Sequence, residues 1–279
     1  MNRLTTRKFF SSLALACSAL LAVTPAHADE EMDKIRASGT LTVGVYDDNP
    51  PWSTKTGGID VDLAEALAKK LNLKLSLMPF PSGENVEDDL RNMAWKGHYL
   101  GYGPANVLMH VPVDRMLMQR NDKVEIFAPY HRETVKVAFN SKTVPDYQGV
   151  ESLAGKRIGA EKVSISAMVL LGDAALRDTV QISKSAIEAL EKLKAGELDA
   201  VVAARSEIES VLRGAPGFEV AEATFPRLPR SGWVSGMAVK KESAELAKLL
   251  MQAMNEMDAS GELAKIFAKH GVKYVKPQS

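Results

Sequence analysis

The alternation of short apolar strands with amphipathic helices is the feature that most constrains the fold of this chain. Residues 41–45 (LTVGV) have a strand pattern, residues 59–71 carry apolar side chains at helical spacing, and residues 73–78 alternate like a second strand. A strand, a helix and a strand in this order predict a βαβ unit with parallel strands and a right-handed crossover. The chain is therefore predicted to open with an α/β sheet.

The same alternation continues and then starts again further along the chain. A helix and a strand are predicted at 86–96 and 107–111, and a second series of strands and helices at 155–159, 164–176, 180–182, 185–194 and 198–202. The tail, residues 244–270, is predicted to be helical with a break at Ser260 and Gly261. These patterns predict two α/β units, with the chain visiting the second unit before it returns to the first.

The first 28 residues have the pattern of a secretory signal peptide. Arg3, Arg7 and Lys8 precede an apolar run over residues 9–23, and Ala26-His27-Ala28 supplies a small-x-small cleavage pattern. The run is shorter than the roughly 20 apolar residues of a comfortable spanning helix. We expect cleavage after Ala28 and a product exported to the periplasm that is not embedded in the membrane.

Cysteine content and charge exclude several classes of function. Cys17 is the only cysteine and lies within the predicted leader, so we expect the exported chain to have no disulfide, thiolate metal site or cysteine nucleophile. The chain has 35 basic and 35 acidic residues, and three of the basic ones belong to the leader. The remaining chain carries no basic excess that would favour nucleic acid or an anionic membrane. We predict no cofactor and no metal site.

Two polar turns follow predicted strands and mark candidate ligand sites. Tyr46, Asp48 and Trp52 lie in the stretch VGVYDDNPPWS directly after the first strand, and Ser164 and Ser166 open a predicted helix of the second unit. Ligands of open α/β sheets bind at the carboxyl ends of the strands. The alternatives are that the Pro-Pro-Trp turn only packs on itself and that Ser164 is an ordinary helix N-cap.

Five segments, in order, resemble the periplasmic solute-binding proteins of family 3, the receptors of amino-acid ABC transporters. They are GTLTVGVYDDNPPWS with GGIDVDLAEALAKKLNLKL, FAPYHRETVKVAFN, LAGKRIGA, AIEALEKLKAGELDAVV, and the stretch from SGMAVKKES to the last helix. The resemblance implies a type II periplasmic-binding-protein clamp that holds a ligand between two lobes. It implies lobe I at residues 29–133 and 238–279 and lobe II at residues 134–237.

The chain also departs from the pattern of amino-acid receptors. In place of the Thr-x-x-Arg that grips the ligand carboxylate it has Pro112 to Arg115, and Ala204 stands where an acid usually grips the α-amino group. The altered handles and the insert at 93–114 resemble the MxaJ/XoxJ-type relatives that accompany quinoprotein alcohol dehydrogenases. That narrower resemblance implies a dehydrogenase as the partner in place of a permease.

The remaining candidate site residues are an arginine, two histidines and a group of aromatic side chains. Arg115 is a candidate anion contact because a guanidinium holds a carboxylate in a bidentate fork, and His110 is a candidate ligand contact. An insert rich in glycine carries four further side chains that predict either a packed loop or a surface for a partner protein: Trp95, His98, Tyr99 and Tyr102. The spacing of His98 and His110 is not that of a known metal-ligand pair.

These observations leave three hypotheses of different class. The first is a binding protein that closes on a small polar solute and docks on an ABC permease. The second is an accessory protein of a periplasmic quinoprotein dehydrogenase. The third is an enzyme on the same clamp, such as a prephenate-type dehydratase, which needs an acid or a base positioned in the cleft. The sequence displays no such constellation, so we predict that the chain is not an enzyme.

Overall fold

The computed structural model describes residues 30–277 except 227 and 229–231. Within this part of the chain there are two five-stranded sheets. The predicted signal peptide and its cleavage site lie outside these residues. The strands are β1 Thr40–Tyr46, β2 Lys74–Phe80, β3 Val107–Pro112, β4 Val124–Glu133, β5 Val135–Asn140, β6 Ile158–Glu161, β7 Val180–Ser183, β8 Ala200–Ala204, β9 Phe218–Glu222 and β10 Trp233–Lys240. The helices are α1 Glu30–Ser38, α2 Ile59–Lys70, α3 Val86–Leu90, α4 Arg115–Arg120, α5 Ile165–Leu171, α6 Ala186–Lys194, α7 Arg205–Leu212, α8 Ala244–Ala259 and α9 Glu262–Lys269.

Lobe I contains the sheet with strand order β2-β1-β3-β10-β4. β1 pairs in parallel with β2 and β3, and β10 is antiparallel to both β3 and β4. Because β10 runs against its neighbours, the carboxyl ends of β1, β2, β3 and β4 all lie at one edge. Apolar clusters cover both faces of the sheet, one with α2, α8 and α9 and the other with α3 and α4.

Lobe II contains the sheet with strand order β7-β6-β8-β5-β9. β6 is parallel to β7 and β8, while β5 is antiparallel to β8 and β9. The carboxyl ends of β6, β7 and β8 therefore share an edge with the start of β5. The helix α6 covers one face of this sheet with a buried stripe at helical spacing, formed by Ala186, Ala189, Leu190 and Leu193. The hydroxyl of Ser185 caps the first turn of the same helix.

The chain crosses between the lobes where β4 ends at Glu133 and β5 begins at Val135, with one residue between them. It crosses back between β9 and β10, and β10 lies wholly in the lobe I sheet. The prediction that the chain returns to its first unit is confirmed. The boundary predicted at residue 238 stays a prediction, and the position of β10 favours an earlier one. In the part of the chain described here, no helix is long and apolar enough to span a membrane.

The local patterns predicted most elements to within a few residues. β1, α2, β2, β3, β7 and α6 lie where the periodicity placed them, and the tail is two helices separated at Ser260 and Gly261. Two helices are shorter than predicted. The helix predicted over 164–176 ends at Leu171, before Gly172, and the one predicted over 86–96 changes into a π-helical turn at Arg91–Trp95.

Candidate functional site

The carboxyl edges of the two sheets face each other across the hinge. Glu133, the last residue of β4 in lobe I, accepts a hydrogen bond from the Ser206 hydroxyl at the start of α7 in lobe II. Further out, Asp48 of lobe I lies close enough to Glu161 of lobe II for its charge to act on that carboxyl. We call the space between these edges the interlobe gap. It is the place where the strand order predicts a ligand.

The bend after β1 is tied to the first turn of α2. The carbonyl oxygens of Pro51 and Trp52 accept hydrogen bonds from the backbone N–H of Ile59 at 3.1 Å and Asp60 at 2.8 Å. These are N–H groups that a helix cannot satisfy within itself. The bend therefore holds a fixed position above the helix, and the side chains of Asp48 and Trp52 are carried by a rigid turn.

Trp52 is packed in the floor of lobe I at the gap. Only 4% of its surface is exposed, and its ring centroid lies 4.4 Å from that of His110 and 4.6 Å from that of His131. Phe267 of α9 meets the same ring at 5.7 Å, edge to face. The sequence favoured Trp52 as a buried platform for a ligand, with packing of the turn as the alternative. The structure places Trp52 among other rings, and its contact with a ligand stays a prediction.

His110 and Tyr130 are held by one buried carboxylate, Asp60. The Tyr130 hydroxyl donates to Asp60 Oδ1 at 2.7 Å and accepts from the His110 backbone N–H at 3.0 Å. His110 Nδ1 lies 3.3 Å from Asp60 Oδ2, and His110 Nε2 lies 3.4 Å from the Ser235 hydroxyl. Both ring nitrogens therefore face groups of lobe I. The predicted contact of His110 with a ligand stays a prediction.

The backbone around His110 is irregular. His110 has φ +61° on β3 and Ala128 has φ +48° on β4. Between them, β10 shifts its register at Gly236, where a Cβ would lie 2.5 Å from the carbonyl oxygen of Phe127. Irregular strands of this kind are common beside functional sites because they re-aim side chains. Here the irregular backbone accompanies a His110 ring that lies over Trp52.

The hinge buries a histidine–glutamate pair. His131 Nε2 lies 3.3 Å from Glu133 Oε2, and the Thr134 N–H donates to Glu133 Oε1 at 2.9 Å. Burial lowers the pKa of His131, so the ring is neutral at pH 7. Burial alone would raise the pKa of Glu133, but hydrogen bonds from His131, Ser206 and Thr134 hold it below its ordinary value. Glu133 is therefore an ionised carboxylate at the inner end of the gap.

Lobe II contributes a carboxyl group that the sequence analysis missed. Glu207 is the third residue of α7, and its carboxylate turns back to accept the Ala204 backbone N–H at 2.8 Å. The acid that amino-acid receptors carry at the position of Ala204 is thus replaced by an acid one helical turn later that reaches the same backbone. The signal was present as an N-cap followed by Glu at the third position, which normally indicates only a helix start.

Burial and neighbouring carboxyl groups keep Glu207 protonated. Burial raises the pKa of Glu207 to about 8, with the nearby charges of Glu161 and Glu133 adding to the effect. Burial also raises the pKa of Glu161, and Asp48 acts in the same direction from lobe I. Acidic side chains from both lobes therefore border the gap. A cation entering the gap would relieve their mutual repulsion.

The serines predicted at the lobe II edge are in place. Ser164 is the N-cap of α5: its hydroxyl accepts the Ala167 N–H at 3.0 Å and donates to the carbonyl of Glu161 at 2.7 Å. Ser166 is buried in the first turn of the same helix. The N-cap alternative accounts for the hydroxyl of Ser164, and a contact of either serine with a ligand stays a prediction.

Tyr46 and Asp48 line a cavity of about 340 Å³ at the carboxyl edge of lobe I, together with Asp47, Asn49, Pro81 and Ser82. The Tyr46 hydroxyl donates to the part-buried Asp89 at 2.9 Å, so it is already engaged. The Asp48 side chain is exposed. A larger cavity, about 720 Å³, lies elsewhere, where α7 and β9 meet α9 and the chain after it. The residues named above at the carboxyl edges of the two sheets do not line that larger cavity.

The arginines take different positions from those of an anion site. Arg115 begins α4 and is exposed, and its predicted role as an anion contact stays a prediction. Arg157 forms a bidentate pair with Asp199, at 3.0 and 2.8 Å. Arg205 is paired with Glu209 at 2.8 Å. The last two are therefore neutralised by acids of their own lobe.

The glycine-rich insert forms a stacked aromatic rim. The His98 ring stacks on Tyr102 at 4.3 Å and 13°, and it lies 4.3 Å from Tyr99. Tyr99 is 88% exposed, whereas Trp95 packs against the lobe I core. The loop is therefore ordered by its own rings and presents one of them to solvent. Its role as a partner surface stays a prediction.

Two mixed sheets whose carboxyl edges face each other across a short hinge match the two-lobe fold of the periplasmic solute-binding proteins. No known family profile matches the chain. The L-cystine-binding protein TcyJ of Escherichia coli K12 is 24% identical over 257 residues, which cover 87% of this chain and 86% of that protein. Cyclohexadienyl dehydratase of Pseudomonas aeruginosa is 43% identical over 72 residues, 24% of this chain and 27% of the dehydratase.

Solved structures agree with the class. An ancestral cationic amino acid solute-binding protein superimposes with a TM-score of 0.67 at 21% identity, over 86% of this chain and 99% of that one. An ancestral arginine-binding protein bound to glutamine is 28% identical, with a TM-score of 0.54 over 83% of this chain and 97% of that one. The predicted two-lobe clamp and the predicted resemblance to solute-binding proteins of amino-acid importers are confirmed.

Proposed function

We propose that this protein is the solute-binding component of an ABC importer. Its lobes close on a small polar solute in the periplasm, and the closed form docks on a membrane permease. The observation that carries the proposal is the meeting of the two sheet edges at the hinge, where the Ser206 hydroxyl of lobe II donates to Glu133 of lobe I, because it sets polar groups of lobe I and of lobe II against one gap. A ligand that touches both groups favours the closed arrangement by contacts that the open one lacks.

The charge around the gap supports a solute with an ammonium or guanidinium group. Asp48 and Glu161 supply carboxyl groups from the two lobes, Glu133 is an ionised carboxylate at the hinge, and Arg157 and Arg205 of lobe II are paired with acids of their own lobe. Two solved neighbours are named for cationic amino acids or arginine.

A thermal-shift series tests the proposal. Arginine, lysine and a diamine are compared with glutamine, cystine, glycerol and succinate, each at several concentrations. We expect Tm to rise with the logarithm of concentration for the cationic compounds, as binding to the folded state alone requires. A series in which no compound raises Tm, or in which only succinate does, contradicts the proposal. Intact-mass analysis of the periplasmic product tests cleavage after Ala28.

A second candidate function is acid-catalysed dehydration. Glu207 holds a proton at neutral pH, its pKa being raised to about 8 by burial and by its acidic neighbours, and a group of that kind can protonate a leaving hydroxyl. A segment of the chain is 43% identical to part of a cyclohexadienyl dehydratase. Incubation with cyclic dienyl acids, followed by the ultraviolet absorbance of the aromatic product, is the test. No turnover by the parent protein rejects this candidate.

A third candidate function is that of a partner of a periplasmic dehydrogenase, and one observation favours it. The rim of His98, Tyr99 and Tyr102 is rigid and presents an exposed ring, which is the kind of anchor that protein interfaces use. Co-purification with a periplasmic quinoprotein dehydrogenase, compared between the parent protein and Tyr99→Ser, tests it. Equal recovery of the dehydrogenase with both proteins, or none with either, rejects the rim as its docking surface.

A further inference from the structure

The chain after α9 connects lobe I to lobe II a further time. Phe267 and Val272 are buried in the lobe I core, which fixes the chain on both sides of a turn at Gly271. The next residue, Lys273, lies against α7 of lobe II. Its backbone N–H donates to Glu209 Oε2 at 2.7 Å, and its carbonyl oxygen accepts from Arg205 Nη1 at 3.0 Å. Both hydrogen-bonding groups of one peptide residue are thus taken up by the other lobe.

The two side chains that hold Lys273 are fixed by each other. Arg205 Nη1 lies 2.8 Å and 2.9 Å from the two carboxylate oxygens of Glu209, one helical turn away. Arg205 is only 8% exposed, and its Nη2 also reaches the carbonyl oxygen of Arg132 on β4 at 3.5 Å. Hydrogen bonds with a charged partner are stronger than neutral ones and are less screened where they are buried.

Neighbouring contacts add to the junction, which borders the cavity of about 720 Å³. Arg213, one residue beyond α7, donates to the carbonyl oxygen of Ala268 at 3.4 Å. A Cβ on Gly271 would lie 3.4 Å from Ser210 Cα, so the backbones of the two lobes are in van der Waals contact. Helix α7 therefore faces the interlobe gap with its first turn, at Glu207, and holds lobe I with Arg205 and Glu209.

We infer that Arg205 and Glu209 form a latch on the segment after α9, and that this latch sets the angle between the lobes. Lys273 is fixed to lobe I and its two partners to α7 of lobe II, so a rotation of one lobe against the other strains or breaks both hydrogen bonds. The arrangement with the latch closed is therefore favoured over open arrangements even without a ligand, and breaking the latch shifts the population toward open forms. The inference does not depend on the identity of the solute.

The test is a distance measurement across the gap in the protein without ligand. Spin labels are attached to cysteines at two exposed positions, Lys55→Cys on lobe I and Lys162→Cys on lobe II. Both are introduced in a Cys17→Ser background. Glu209→Ala removes the latch. Glu191→Ala is the matched control because it breaks an exposed pair with Lys194 inside α6 that touches no residue of lobe I among the described contacts. Amide exchange at Lys273 is measured alongside.

We expect Glu209→Ala to broaden the distance distribution toward longer distances and to speed exchange at the Lys273 N–H by roughly tenfold or more. Glu191→Ala should leave both unchanged. If Glu209→Ala does not fold, as judged by circular dichroism, Arg205→Met gives the same comparison because its side chain has no donor for Glu209 or for the Lys273 carbonyl oxygen. Identical distributions for the latch variant and the control overturn the inference. An intact latch in a protein that binds no solute counts only against the proposed function.

Discussion

Asp48 on the first lobe and Glu161 on the second are like charges that meet across the interlobe gap. Burial raises the pKa of the Glu161 carboxyl, and the charge of Asp48 raises it further. Asp48 lies two residues after β1 and Glu161 is the last residue of β6, so the effect of one on the other agrees with strand edges that face each other. Like charges so placed resist closure until a cation lies between them. The same pair therefore resists an empty closed form and favours one filled by a cationic solute.

Removing either charge should weaken binding of a cationic solute. We expect Asp48→Asn to reduce the affinity for the best cationic ligand by roughly tenfold, about the value of one hydrogen bond to a charged group. Isothermal titration calorimetry at pH 7 provides the measurement. Asp33→Asn on the exposed face of α1 is the control and should bind like the parent protein. Equal affinities for Asp48→Asn and the parent would place the solute elsewhere.

Glu207 should make stability depend on pH with an unusual sign. Its pKa is raised from 4.5 to about 8, first by burial and then by Glu161 and Glu133. Between those pH values the folded protein keeps a proton that the unfolded chain has released, so this contribution to stability is complete below pH 4.5 and is lost as pH rises to about 8. Glu207→Gln stays neutral at every pH and retains an oxygen for the Ala204 N–H.

The variant should therefore gain stability relative to the parent protein as pH rises, by on the order of a few kcal/mol between about pH 5 and about pH 9. Urea unfolding at the two pH values measures the change in the free energy of unfolding. Glu219→Gln on the exposed β9 provides the reference for the loss of one negative charge. A difference between Glu207→Gln and the parent that does not change with pH would mean that Glu207 is ionised in the folded protein.

Tyr130 should be the most important hydroxyl in lobe I. It donates to Asp60 and accepts from the His110 N–H, and all three groups lie in or at the edge of the core. Tyr130→Phe leaves two buried polar groups with one partner fewer, so we expect a loss of about 2 kcal/mol or more. Urea unfolding followed by tryptophan fluorescence, to which Trp52 and Trp95 contribute from lobe I, measures the loss.

Tyr147→Phe is the matched control for that substitution. Its hydroxyl donates to the carbonyl oxygen of Glu222 at 3.1 Å at the exposed edge of lobe II. Because water can replace the lost partner there, we expect a change within about 0.5 kcal/mol. Similar losses in the two variants would show that Asp60 and His110 find other partners once the Tyr130 hydroxyl is gone.

The sequence predicted the elements well because each is set by local periodicity. The apolar alternation of β1 and the buried stripe of α2 depend only on neighbouring residues, and both lie where expected. The pairing of the strands was harder to predict from the sequence. Nothing local in β10 indicates that it inserts between β3 and β4, because that position is fixed by contacts between strands far apart in the sequence.

The candidate site was predicted in outline and not in detail. The turns at Asp48 and at Ser164 follow strands, so their place at the edges could be derived from topology alone. The surroundings of Trp52 could not be predicted because its neighbours, His110, His131 and Phe267, come from three distant parts of the chain. Glu207 was missed because an acid in the first turn of a helix ordinarily indicates the helix start.

Gly58 should be indispensable for the turn that carries Asp48 and Trp52, whereas Gly57 should not. Gly58 has φ +150°, and a Cβ there would lie 2.2 Å from the carbonyl oxygen of Trp52, which itself caps α2. Gly58→Ala must displace that carbonyl, so we expect a loss of about 3 kcal/mol or more in the free energy of unfolding. Gly57 also has positive φ, but a Cβ added there would meet no atom within 4 Å, so Gly57→Ala should cost only about 1–2 kcal/mol of backbone strain. Urea unfolding of both variants gives the comparison. Equal costs would mean that strain, and not the contact with Trp52, makes glycine necessary in this turn.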